Sequence, residues 1–179
     1  METKPSADRP AASQLSPTLS TLGKSLNQPY FEHPNRFPGN ADGPFYTTGH
    51  VCVGETKFNG MMADCLQCEA PEYEAPDLLA ELTNGNLNTY FVRQPSTPDE
   101  IDRACNAIGV CCVSALRYGG RDRDIIRRLG NTPEFCDYII DNSDQLKLTV
   151  GENGELLPFA SAIVEMLIRD RKRRRGNGG

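Results

Sequence analysis

Cys65-Leu66-Gln67-Cys68-Glu69-Ala70-Pro71-Glu72-Tyr73-Glu74-Ala75-Pro76-Asp77 is the stretch on which the fold reading turns. It opens with a C-x-x-C, a spacing at which two thiolates reach one metal centre from a tight turn. That spacing suits zinc, an iron–sulfur cluster or a redox dithiol alike. Downstream, Asn88-Thr89-Tyr90-Phe91-Val92-Arg93 has the aromatic and β-branched character of a strand and is ended by Pro95. Thr97-Pro98-Asp99-Glu100 then supplies an N-cap, a proline at the first helical position and a capping-box Glu. Ile101, Ala104, Cys105 and Ile108 follow at helical spacing, so a helix to about Val110 buries one stripe and delivers Cys111 at its end. The run from Cys111 to Tyr118 turns into a strand, which Gly119-Gly120 stops.

Working outward, Gly43-Pro44-Phe45-Tyr46-Thr47-Thr48 predicts a short leading strand, and Gly49 to Ala63 predicts a loop containing Gly54, Asn59 and Gly60. Pro76 to Leu82 predicts a short helical turn, closed by Asn84-Gly85-Asn86. Residues 1–38 are rich in Pro, Ser, Thr and Asn without an apolar period. They read as a disordered or loosely docked arm, tacked down by Tyr30, Phe31 and Phe37. Past Gly120, Asp124 to Leu129 predicts a short helix stopped by Gly130-Asn131, and Phe135 to Ile140 is either helical or extended. Leu146 to Val150 and Glu155 to Phe159 flank Gly151-Glu152-Asn153-Gly154, a hairpin signal. A final helix runs from Ala160 to about Arg173.

From Asn40 to Gly120 the sequence resembles a single-cluster bacterial-type ferredoxin domain, a resemblance covering somewhat under half of the chain. Cys65 and Cys68 match the first two ligand positions of that family, and Cys111 matches the distal one, followed by Val113-Ser114-Ala115-Leu116. Ala75-Pro76-Asp77 falls at the spacing of the family's Ala-Pro-Glu, and Gly43-Pro44-Phe45-Tyr46 matches its leading strand. The resemblance implies an α+β, ferredoxin-like fold: a small antiparallel sheet with helices, extended by a C-terminal hairpin and helix. The implied organisation is an arm over 1–38, a ferredoxin-like domain over 40–120, an extension over 121–173 and a basic, Gly-rich tail over 174–179.

The chain departs from the family at three places. Pro71 stands at the third ligand position, where no side-chain ligand is possible. Cys112 replaces the proline that follows the distal ligand. About a dozen residues, Val53 to Asp64, are inserted before Cys65, with Cys52 at the front of the insertion. Three outcomes stay open. A 4Fe-4S cluster on Cys65, Cys68 and Cys111 takes its fourth ligand from Cys52, Cys112, water or a partner. A 3Fe-4S cluster needs three cysteines, though the family keeps the first, third and fourth. Otherwise the cluster is lost, leaving zinc or no metal. Successive extended side chains diverge, so one of the vicinal Cys111 and Cys112 is expected to serve packing. Cys105, on the helix stripe, and Cys136, beside Phe135 and Tyr138, read as core thiols. His50, in a polar loop, reads as a solvated residue before it reads as a ligand.

The function classes narrow accordingly. A formal charge of −5 and a pI near 5.1 argue against nucleic-acid binding by the whole domain. The cations crowd into Arg169, Arg171, Lys172, Arg173, Arg174 and Arg175, where they complement a helix end. No apolar run approaches a membrane span, and the N-terminal sequence lacks a secretory pattern, so a cytoplasmic location is expected. Seven cysteines in a reducing compartment read as thiols or metal ligands before disulfides. No catalytic constellation or phosphate-binding glycine pattern is present, and the chain reads as a non-enzyme. The first expectation is a one-electron carrier that meets a redox partner protein, with Glu69, Glu72, Glu74 and Asp77 as an acidic rim. The alternative is a degenerate ferredoxin-fold interaction or structural module. A dithiol redox role for Cys65 and Cys68 is a third and weaker option.

Overall fold

A computed structural model describes residues 29–52 and 58–149, and shows a mixed α+β chain. The elements run β1 (Phe45–Thr47), β2 (Gly49–Val51), β3 (Met61–Ala63), α1 (Ala70–Glu74), α2 (Pro98–Val110), β4 (Leu116–Tyr118), α3 (Arg123–Arg128), β5 (Tyr138–Ile140) and β6 (Leu146–Leu148). Where one small sheet was expected, the described strands form three antiparallel ribbons of two: β1 with β4, β2 with β3 and β5 with β6.

The β1–β4 ribbon is the axis of the molecule. Its register pairs Phe45 with Tyr118, Tyr46 with Arg117 and Thr47 with Leu116. Alternation sends Phe45 and Tyr118 to one face, where their rings lie 4.9 Å apart in the main core with Leu78, Phe91, Ile108 and Ile126. Tyr46 and Arg117 point to the other face, which is also covered. There the Tyr46 hydroxyl donates to Asp137 at 2.7 Å, and Arg117 donates to Asp137 at 3.0 Å and to the carbonyls of Pro133 and Glu134. Asp137 is fully buried, so the ion pair and its hydrogen bonds are what make that burial tolerable. Residues on both sides of Gly120 therefore share one core.

α2 forms as its sequence directs. Thr97 accepts from the Glu100 amide at 3.2 Å while the Glu100 carboxylate accepts from the Thr97 amide at 3.2 Å, which completes the capping box. Ala104, Cys105, Ala107 and Ile108 are its buried stripe.

Part of the N-terminal arm is firmly packed. The Phe31 amide donates to Gly119 at 2.7 Å, and Phe31 and Phe37 are buried. A Cβ on Gly119 would lie 2.8 Å from the Phe31 carbonyl oxygen, so only glycine admits this approach. Residues 1–28 lie outside the described ones.

Other expectations are revised. Gly49 to Ala63 holds the β2–β3 hairpin, with residues 53–57 outside the described ones. The short helical turn expected over Pro76 to Leu82 is confined to its start, where the Leu78 and Leu79 amides donate to the Ala75 carbonyl at 3.0 and 3.1 Å, and a five-residue helix, Ala70–Glu74, precedes it. Pro71 is suited to its first turn, and the residue before Pro76 is pushed out of helical geometry. Leu78, Leu79 and Ala80 are all buried, and they pair irregularly with the extended 90–92 segment: Ala80 donates to Tyr90 and Val92 donates to Leu78, each at 2.9 Å. Phe135 to Ile140 is extended from Tyr138 on. Leu146–Leu148 pairs with Tyr138–Ile140, while Glu155 to Phe159 and the final helix lie outside the described residues.

Candidate thiol site

Two chain segments build the site, and a short relay of backbone bonds brings them together. Thr48 donates to Ala115 at 2.9 Å, and Asp64 donates to Thr48 at 3.0 Å. That relay sets Cys65 beside the turn leaving α2. There Cys111 is the C-cap, extended at φ −68° and ψ 104°, and its carbonyl accepts from Ser114 at 3.1 Å. On the other side, Cys68 directly precedes α1, which packs against α2.

The Cys65–Glu69 loop is tightly wound. Gln67 and Glu69 both take left-handed backbone, at φ 56° and 60°, a conformation that non-glycine residues adopt at some cost. The winding turns the Gln67 amide onto the Cys65 sulfur, 3.4 Å away. Thr89 is the second group on Cys65. Its hydroxyl donates to the Glu72 carboxylate, and the side chain works to lower the Cys65 pKa. Burial pushes the Cys65 thiol above its ordinary pKa. Thr89 and Gln67 oppose the shift, whereas Glu72 and Cys111 add to it. None of these leading influences is a cation. The other Glu72 oxygen is buried without a hydrogen-bond partner.

Cys65 and Cys111 are buried electrostatic neighbours and form the inner half of the site. Cys68 and Cys112 are exposed and form the outer half. Partial desolvation, then Cys68, push the Cys112 thiol up. The vicinal pair thus splits inward and outward, as extended geometry requires, yet both members stay at the site. Pro71 is buried in the first turn of α1.

Cys52 does not join them. Its amide donates to Gly60 at the loop end of the β2–β3 hairpin. About five extended residues, or ~16 Å at ~3.3 Å per residue, separate that end from Cys65. His50 is engaged with Asp64 at 2.6 Å. Cys105 and Cys136 are buried core thiols, with burial pushing their pKa values up to about 11 and about 12. Asp77 is no part of a free acidic rim, because Arg93 and Arg103 both bond its carboxylate and tie the Ala75–Leu78 turn to α2. Sequence reasoning missed Thr89 and Gln67; a threonine in an aromatic strand carries no sign that it will face a distant sulfur.

Among the described residues no three of His, Cys, Asp and Glu are grouped so as to hold a single metal ion. Tetrahedral zinc, with Zn–S bonds of about 2.3 Å, needs sulfurs ~3.8 Å apart, so the thiols as placed do not fit zinc. A cluster asks for less convergence, since each thiolate binds a different iron. Cys65, Cys68, Cys111 and Cys112 supply four free thiols from two segments, one of them accepting an amide hydrogen bond. A groove of about 490 Å³ lined by Glu69, Glu72, Tyr73, Glu81 and Leu82 runs beside the loop. No helix among the described residues is long and apolar enough to cross a membrane. No family model, curated protein or solved structure matches the chain.

Proposed function

We propose that the chain is a ferredoxin-like electron carrier whose iron–sulfur cluster is held by Cys65, Cys68 and Cys111. The reading is supported by the joint spacing of Cys65, Cys68 and Cys111 and by the Asp64–Thr48–Ala115 backbone relay that ties the segment before Cys65 to the turn leaving α2. Cys112, exposed next to Cys111, is the candidate for the fourth ligand in place of Cys52. When bound, the cluster takes up and releases one electron. The chain's own residues do the rest. Buried Cys65 and Cys111 keep water from the inner half, and the Gln67 amide and Thr89 stabilise the Cys65 sulfur as thiolate. The exposed Cys68–Cys112 edge offers the route to a partner, and Glu69, Glu72 and Glu81 steer a basic one. A nucleophilic dithiol role is poorly served, because reactive thiols need electropositive surroundings and the acidic groove supplies the opposite.

The test is the visible spectrum and the iron and sulfide content of protein purified and reconstituted without oxygen. A brown chromophore that Cys65→Ser abolishes supports the carrier. Colourless, iron-free protein overturns it. That outcome leaves the metal-free interaction module, the reading favoured by buried Pro71 at the third ligand position.

A further inference from the structure

We propose that the groove beside α1 is the docking site of this chain's own basic segment, Arg169 to Arg175. The inference stands on shape, charge and reach and needs no cluster, so its fate is separate from that of the electron carrier.

The groove encloses about 490 Å³, and its lining combines apolar and acidic residues. Leu79 and Leu82 supply apolar surface, and Tyr73 stands 87% exposed. Glu69, Glu72 and Glu81 bring three carboxylates, none of them in an ion pair among the described residues. Glu72 accepts from Thr89 through one oxygen, while the other is shut off from solvent without a hydrogen-bond partner. A carboxylate oxygen left in that state is costly, and a cationic donor on an occupant removes the cost. The cations nearby in the fold are committed elsewhere: Arg93 and Arg103 bond Asp77, and Arg128 bonds Asp102.

The complement is written into the same chain. Arg169, Arg171, Lys172, Arg173, Arg174 and Arg175 crowd together with Asp170 as the one acid between them, and Met166, Leu167 and Ile168 precede them. These residues lie outside the described ones. Thr149, the last described residue, is anchored to the core by bonds to the carbonyls of Cys136 and Asp137. Arg169 follows it by 20 positions. A chain of that length spans up to about 70 Å, against a radius of gyration of about 13 Å for a 100-residue domain. The tether therefore reaches any part of the surface. It also holds the segment at an effective concentration on the order of millimolar, so a modest intrinsic affinity fills the groove. Guanidinium groups suit it twice over, pairing with carboxylates and stacking on an exposed aromatic ring.

The test treats the full-length chain, stripped of metal by a chelator, with a zero-length carbodiimide that couples amines to carboxylates. Lys172 is the amine of the basic segment. Chymotryptic digestion and mass spectrometry of the monomer and dimer fractions then map its links. The expected product joins Lys172 to Glu69, Glu72 or Glu81 within one chain. Its yield should fall at least about fivefold in about 0.5 M sodium chloride, where exposed charge pairs are screened. Links from Lys172 mainly to other carboxylates, no link at all, or a link found only in dimers overturns the proposal. A second readout avoids coupling chemistry: amide spectra of the parent are compared with those of a variant carrying Arg171→Ser, Lys172→Ser, Arg173→Ser and Arg174→Ser. Shift changes concentrated in residues 69–82 are expected, and unchanged resonances there overturn the docking.

Discussion

At its first turn α2 is closed by residues within four positions of one another: Ser96 and Thr97 bond the Glu100 carboxylate, and Glu100 bonds back. At its last turn there is no comparable local device. The C-cap is Cys111, the last turn carries no basic residue, and the neighbours of Cys111 and Cys112 come from the 65–68 loop. One end is therefore specified by short-range hydrogen bonds and survives loss of tertiary structure nearby. The other is a meeting point, and its geometry is only as good as the core that holds two remote segments together.

That contrast is breakable. The largest effect is expected from Ile108→Ala, which empties a fully buried site just before the thiols. It should cost about 2–5 kcal/mol in chemical denaturation and disturb the thiol end more than the capped end, as read by amide exchange. Acid gives the next effect. His33 is buried, its Nδ1 accepts from the Asn35 amide, and its Nε2 has no partner; burial holds its pKa down at about 4 against an ordinary 6.5. A depressed histidine stabilises the fold fully above pH 6.5 and loses that contribution as pH falls toward 4, a loss of about 3 kcal/mol. His33→Phe should flatten stability over this window. Glu100 responds lower down. Arg93 first, then Ser96, hold its carboxyl well below the usual carboxylate range, so its support of the cap is present above pH ~4.5 and fades only as pH falls further. Amides of the first turn should stay protected through the His33 window.

Thr97→Ala should cost about 1 kcal/mol and leave amide protection in the last turn of α2 unchanged, since the damage is confined to the far end of the helix. The smallest effect is expected for Cys112→Ser, within about 0.5 kcal/mol because the residue is exposed. The same change should alter thiol chemistry decisively. A large loss of stability there would show that the meeting point is held together by Cys112 itself.

The two ends also differed in how far they could be foreseen. The Thr97 box and the buried stripe ending at Ile108 were legible because their contacts recur at fixed short spacing. Cys65, Cys68 and Cys111 stand out in the sequence by their joint spacing, but among the described residues no three of His, Cys, Asp and Glu are grouped to hold a metal ion. The β2–β3 hairpin escaped notice because its strands are only three residues long and too short to show an alternating pattern, so Gly49, Gly54 and Gly60 read as a loop. The short helix at Ala70–Glu74 escaped because five residues carry no periodic signal. Phe37 could be seen as a tack, but not as fully buried, since its ring contacts Tyr90 and Phe58 come from far along the chain. Cys52 lay near Cys65 in sequence terms only; the hairpin between them sends it away.

The pairing of Thr48 with Ala115 has a consequence for the order of folding. Those residues are 67 positions apart, and the β1–β4 ribbon they extend has only three residue pairs to offset so long a closure. α2, with its local cap, is free to form early, while the ribbon must wait for the core to gather around it. The thiols of the loop and those of the helix end therefore meet in one of the last steps of folding. During synthesis, Cys65 and Cys68 emerge well before their partners and meet solvent unaccompanied.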